Sequence, residues 1–180
     1  VGMGIDSLLW VPTEAEAELS EWLSITRIPV AVVTQVSRFF NSVSINQDRG
    51  AESIAEHFIH TGHLSFGFVA QEGVDSRKVS SYSKKIASHG LKLAKDNSFW
   101  IAKGEGEKIS GHISILDDII EKLSEPTRTC TCLLVYNDIA ANYIIDGLKE
   151  KSISVPEDIA IASFDNTLLA QTKKITSFAQ

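Results

Sequence analysis

Residues 159–171 read IAIASFDNTLLAQ. The run 159–164 is apolar on both alternating faces, as a strand covered on two sides requires. It stops at Phe164, and two polar residues, Asp165 and Asn166, follow at once. The stretch LLVYND, residues 133–138, ends the same way, on Asn137. Each run delivers a polar side chain at its carboxyl end.

Working outward, short apolar runs alternate with helical periodicities. Residues 5–11, 29–33, 42–45, 66–70, 98–102 and 131–136 read as extended, and 14–24, 78–89 and 109–123 as helical. In NQDRGAESIAEHFIHTGH, residues 46–63, the stripe of Ile54, Ala55, Phe58 and Ile59 predicts a helix closed by Gly62 in the left-handed conformation. In NDIAANYIIDGLKEK, Asn137 is the expected N-cap, with Ala140, Tyr143, Ile144 and Leu148 on one stripe. Pro156 begins the turn into the last apolar run.

Strands that alternate with helices of this length predict βαβ units and a parallel sheet, an α/β fold. In open sheets of that kind ligands bind beyond the carboxyl ends of the strands. Asn137 and Asp165 both fall on that rim. Asn137 also reads as a plain helix cap, and Asp165 with Asn166 as a plain turn; pattern alone leaves both open.

The 180 residues are 43 % hydrophobic and 22 % charged, an ordinary globular composition large enough for one domain or two small lobes. A formal charge of −6 argues against this stretch gripping a phosphate backbone. No run reaches the roughly 20 apolar residues of a membrane span, and no cationic and apolar leader opens the chain. The first residues, VGMGIDSLLWVP, enter a strand almost immediately, so the chain is expected to be part of something longer.

Cys130 and Cys132 lie two apart in TCTCLLVY. In a strand they would share a face in poor geometry for a disulfide, so they read as core thiols of a reducing cytosol. His57, His60 and His63 in HFIHTGH lack the His-Glu-x-x-His spacing of a zinc protease, and His63 after Gly62 suits a helix-ending turn. Gly104, Gly106 and Gly111 do not form a dinucleotide fingerprint. With no nucleophile elbow or Walker loop either, no catalytic residue, metal or cofactor is expected.

The segment TCTCLLVYNDIAANYIIDGLKEKSISVPEDIAIASFDNTLLAQ resembles the effector-binding domain of the lactose-repressor/galactose-repressor (LacI/GalR) family of bacterial transcription regulators. The matching motifs are Asn137-Asp138 after a buried strand, the Val155-Pro156-Glu157-Asp158-Ile159 turn and the Phe164-Asp165-Asn166 rim. Upstream, NSVSINQDRGAESIAEHFIHTGHLSFGFV and GIDSLLWVP…IPVAVV resemble the same family, so the likeness covers essentially the whole chain.

The resemblance implies a bilobed, periplasmic-binding-protein-like (type I) fold with a sugar-sized ligand in its cleft. Residues 1–44 would be a partial N-terminal lobe, 45–175 the C-terminal lobe and 176–180 a return segment. The helix-turn-helix headpiece, the hinge and the first part of the N-terminal lobe would lie outside these residues. The implied protein is a cytoplasmic, homodimeric, sugar-responsive regulator whose headpiece binds operator DNA. The alternative is a periplasmic sugar-binding protein of a transporter.

The family's effector contacts map onto Asn137 and Asp165, a pair suited to a polyol because one accepts from hydroxyls and the other both donates and accepts. An arginine usual early in the helix after GFVAQEG falls on Lys78, with Arg77 beside it; each also reads as an ordinary solvated charge. An aspartate common at the end of PVAVV is replaced by Thr34. A position often holding a stacking aromatic falls near Gly106, and Trp100 is expected to pack.

Overall fold

In the computed structural model the described residues are 4–11, 16–25, 28–34, 36–102 and 109–179. The chain divides into two compact units, Val1–Asn46 and Gln47–Gln180.

In the first unit, β1 (Leu8–Trp10), β2 (Val30–Thr34) and β3 (Asn41–Ser44) form a parallel sheet in that order, and α1 (Glu16–Ile25) lies between β1 and β2 in sequence. Val32 and Leu23 are its buried apolar anchors, and Trp10 meets Phe40 edge to face at 6.3 Å.

The second unit begins with α2 (Gln47–His60), β4 (Ser65–Gln71), α3 (Ser76–Ser88) and β5 (Lys92–Ile101). It continues through α4 (Ile109–Ser124), β6 (Cys132–Val135), α5 (Asp138–Glu150), β7 (Ala160–Phe164), α6 (Leu168–Lys173) and β8 (Thr176–Phe178). All five strands are parallel, in the order β5-β4-β6-β7-β8.

Strand alternation sends neighbouring residues into two separate cores. Phe66, Phe68, Cys132, Leu134, Ala162 and Phe164 pack with α2 and α3; Val69, Leu133, Val135 and Ile161 pack with α4 and α5. With helices on both faces, β6 is buried at all four positions, which is why its sequence lacks a polar alternation.

The chain leaves β4 for β5 on one side and then crosses to β6 on the other. That reversal, between β4 and β6, is the topological switch point at whose carboxyl edge α/β sheets bind ligands.

Several expectations are corrected. Cys130 precedes β6 rather than lying in it, and the two thiols enter opposite cores instead of one face. Both are free; burial pushes Cys130 up to about 11 and Cys132 higher still, so neither thiol is activated. Residues 176–178 do not leave the second unit: they are its edge strand β8, paired with β7.

Strand β5 starts at Lys92 rather than at 98. Its register jumps from Phe66↔Leu93 to Phe68↔Ser98 because residues 94–97 bulge out of the ladder. Asn97 turns that bulge inward. Its Oδ1 accepts from Thr129 N, Thr129 Oγ1 and Cys130 N at 3.0–3.3 Å, tying the bulge to the entry of β6.

Candidate functional site

The carboxyl edge of the second sheet is built from the loops after β4, β6 and β7. After β6 the chain is still extended at Asn137, with φ of −155°, and its Oδ1 accepts the Ala140 N–H at 2.8 Å to start α5. The side chain is therefore a cap, yet its Nδ2 has no hydrogen-bond partner among the described residues and keeps two donors. Capping and ligand contact are compatible here.

After β7, Asp165 and Asn166 take left-handed φ values of +100° and +48°, which non-glycine residues adopt only when the surroundings demand it. Asp165 is exposed, and its backbone N–H donates to Phe178 O at 3.0 Å. Burial raises its carboxyl above the ordinary value, Lys78 pulls it down, and Asp138 and Asp75 push it up again.

After β4, Asp75 is buried and spans two roles. Its Oδ2 accepts the Gln71 N–H at 2.9 Å, and its Oδ1 lies 3.0 Å from Lys78 Nζ. Lys78 is buried as well, and its Nζ sits 4.5 Å from the centre of the Phe164 ring. A buried ammonium held by one carboxylate and one aromatic face is satisfied electrostatically but not available as a free cation.

Three of the residues singled out from the sequence, Asn137, Asp165 and Lys78, thus share one edge. Arg77 does not join them: it is exposed, and its guanidinium is 2.5 Å from Asp48 on α2. That contact and a bond from Ser81 Oγ outweigh partial burial and hold the Asp48 carboxyl below its ordinary range. Thr34 ends β2 in the first unit, exposed and with φ of +85°. Trp100 packs edge to face on Phe68 at 5.1 Å while keeping 40 % of its surface exposed. Gly104 and Gly106 lie outside the described residues.

Two buried carboxylates of this edge, Asp75 and Asp138, are not among the site residues singled out from the sequence. Asp138 follows the cap and is fully buried; its Oδ1 accepts Ser163 Oγ and Ser177 Oγ at 2.6 Å each, and its Oδ2 accepts Thr167 N at 2.7 Å and Oγ1 at 2.8 Å. Burial alone would raise this carboxyl, but the four donors prevail and hold it below its ordinary value. The available signal was Ser163, one hydroxyl in an otherwise apolar strand.

Among the described residues no group of three or more His, Cys, Asp or Glu side chains is placed to hold a metal ion. His63 instead shares a 3.0 Å hydrogen bond with Thr131 Oγ1 and packs against Phe58. No described helix is long and apolar enough to cross a membrane.

Residues 55–180 match the periplasmic binding protein-like domain family. Catabolite control protein A of Priestia megaterium is 26 % identical over 176 residues, covering 94 % of this chain and 51 % of that protein. The HTH-type transcriptional repressor PurR of Photobacterium profundum is 24 % identical over 172 residues, covering 92 % and 49 %. The chain therefore spans about half the length of these relatives. A LacI family transcriptional regulator from Lactobacillus casei with bound glucose superposes with a TM-score of 0.78 at 18 % identity, covering 98 % of this chain and 66 % of that one.

Proposed function

Since the chain belongs to the periplasmic-binding-protein-like domain family, as an effector-binding domain of the LacI/GalR regulators, we propose that it senses a small uncharged polyol, a sugar or sugar derivative. Occupancy would be passed to operator DNA through a helix-turn-helix headpiece beyond these residues, in a cytoplasmic homodimer.

The observation that carries the ligand class is the charge of the edge. Among the described residues of this edge, Asp75, Asp138 and Asp165 bring three carboxylates, and Lys78 brings an ammonium 3.0 Å from Asp75, so carboxylates predominate. A phosphate or carboxylate ligand would meet repulsion there, whereas a hydroxyl-rich neutral ligand would donate to Asp165 and meet the Asn137 amide. The exposed apolar side chains of Val74, Ile139 and Leu168, on the segments after β4, β6 and β7, offer contact for the C–H surface of such a ring. The bound glucose of the Lactobacillus casei regulator supports the same class.

The chemistry proposed for this edge is binding, through acceptors and donors that suit hydroxyls. The regulator names of the relatives favour transcriptional control over transport. The ligand shifts DNA binding only by as much as its affinity differs between the two conformational states.

Calorimetric titration of the full-length protein tests this with D-glucose, D-galactose, D-ribose, cellobiose, D-glucosamine, glucose 6-phosphate and hypoxanthine. At least one neutral sugar should bind and change operator affinity, and glucose 6-phosphate should bind at least tenfold more weakly than glucose. Binding of the phosphate or the purine in preference to every neutral sugar overturns the assignment.

A further inference from the structure

We propose that Asp138 is the positioning residue of the ligand edge: its buried carboxylate holds the 165–167 loop in the conformation that presents Asp165. The proposal rests on Asp165 being a ligand contact, as above.

A carboxylate taken out of water survives as an anion only when its lone pairs are met. Asp138 has no Lys or Arg in ion-pair contact among the described residues, and its needs are filled by four neutral donors instead. These donors come from three separate elements: Ser163 near the end of β7, Ser177 in β8, and Thr167 at the N-cap of α6. One side chain at the first turn of α5 therefore gathers the strand before the loop, the helix after it and the strand beyond.

The loop's own backbone hangs on the same group. Thr167 N–H donates directly to Asp138 Oδ2. Asn166 N–H donates to Ser177 Oγ at 2.9 Å, and that hydroxyl's proton goes on to Asp138 Oδ1. Only the Asp165 N–H is bound elsewhere, to Phe178 O on the strand that Ser177 anchors. Asp165 and Asn166 are both left-handed, a conformation that relaxes once its ties are cut. The network supplies those ties. Asp138 itself touches no ligand; it decides where Asp165 points.

The test uses Ser177→Ala, which cuts the relay to Asn166 and leaves Asp138 its other donors, and Asp138→Asn, whose NH2 must face either the Thr167 pair or the serine pair. Hydrogen exchange at Asn166 should quicken at least tenfold in Ser177→Ala with little change in the two cores. The Asp165 carboxyl, titrated by carbon NMR without ligand, should move down toward its ordinary 3.8 in Ser177→Ala as the loop drifts further into solvent. Affinity for the sugar that binds best in the panel above should fall about tenfold in each. Ser177→Thr, which keeps the hydroxyl, should restore it, and Asp165→Asn/Ser177→Ala should lose no more than Asp165→Asn alone.

Native exchange at Asn166 together with an unmoved Asp165 titration in Ser177→Ala overturns the proposal. So does an affinity loss that adds in full to that of Asp165→Asn. If no panel sugar binds the wild-type protein, the assignment of the ligand fails by itself, and the exchange and titration still decide the role of Asp138.

Discussion

Asp165 is held in a conformation that costs stability, with its carboxyl raised above its ordinary value. Residues kept in such a state cluster at binding sites, where geometry matters more than stability. Asp165→Gly removes both the strained Cβ and the charge, so it should stabilise the fold by about 1 kcal/mol while abolishing sugar binding. Asp165→Asn keeps the shape but loses a charge-assisted bond, and affinity should fall about ten- to a hundredfold. Melting curves run beside titration calorimetry check both; a Gly variant that melts lower and still binds sugar would assign Asp165 to the turn alone. The sequence placed Asp165 on the rim through its strand end, but the two left-handed residues are visible only in the backbone. For Arg77 and Lys78, adjacent residues of equal formal charge, burial separates the roles. Lys78 turns inward to Asp75 and Phe164, and Arg77 outward to Asp48.

At the scale of elements, the helices and central strands were legible because their periodicity is strong, as in the stripe of α2 and the wholly apolar β6. Strand β5 was half missed, since its first residues KLAKDN look polar, and they are polar because residues 94–97 leave the ladder. Gly67 marks where that happens: a Cβ built there would stand 2.4 Å from Asn97 O, a backbone atom that cannot swing away. Gly67→Ala should therefore cost about 2–3 kcal/mol, seen as a lowered urea midpoint with an unchanged slope. A midpoint within error of wild type would mean that the bulge is not rigidly seated over β4. The six-residue α6 and three-residue β8 gave too short a pattern to recognise; their stability comes from the Thr167 cap and the pairing with β7.

For the whole molecule, the perturbed groups set the response to acid. His63 is partly buried and so lowered from its ordinary 6.5; the unfolded chain takes up its proton first, and stability is lost as pH falls below about 6.5. Asp48 and Asp138 lie below the ordinary 3.8, so their stabilisation is complete above that pH and is lost as they protonate below it. Asp165 is raised, so protonating it relieves the folded state and partly offsets the His63 loss between the two steps. Melting temperature followed from pH 7 to about pH 2 should show two descents, and His63→Gln should remove the upper one. A single acid transition in wild type would remove His63 from this account.

The sequence by itself determined the α/β class, the order of the main elements, the family and the strand ends at which Asn137 and Asp165 stand. These follow from local periodicity and from a backbone that can end a buried parallel strand in few ways. The tertiary structure alone decided that Lys78 is neutralised by Asp75, that Cys130 and Cys132 enter different cores, and that residues 176–178 close the sheet as β8. It alone joined Asp138 to Ser163, Thr167 and Ser177, residues 25–39 positions away. The reason is physical: the fate of a buried charge depends on donors brought from distant elements, and no local pattern records which donors will arrive.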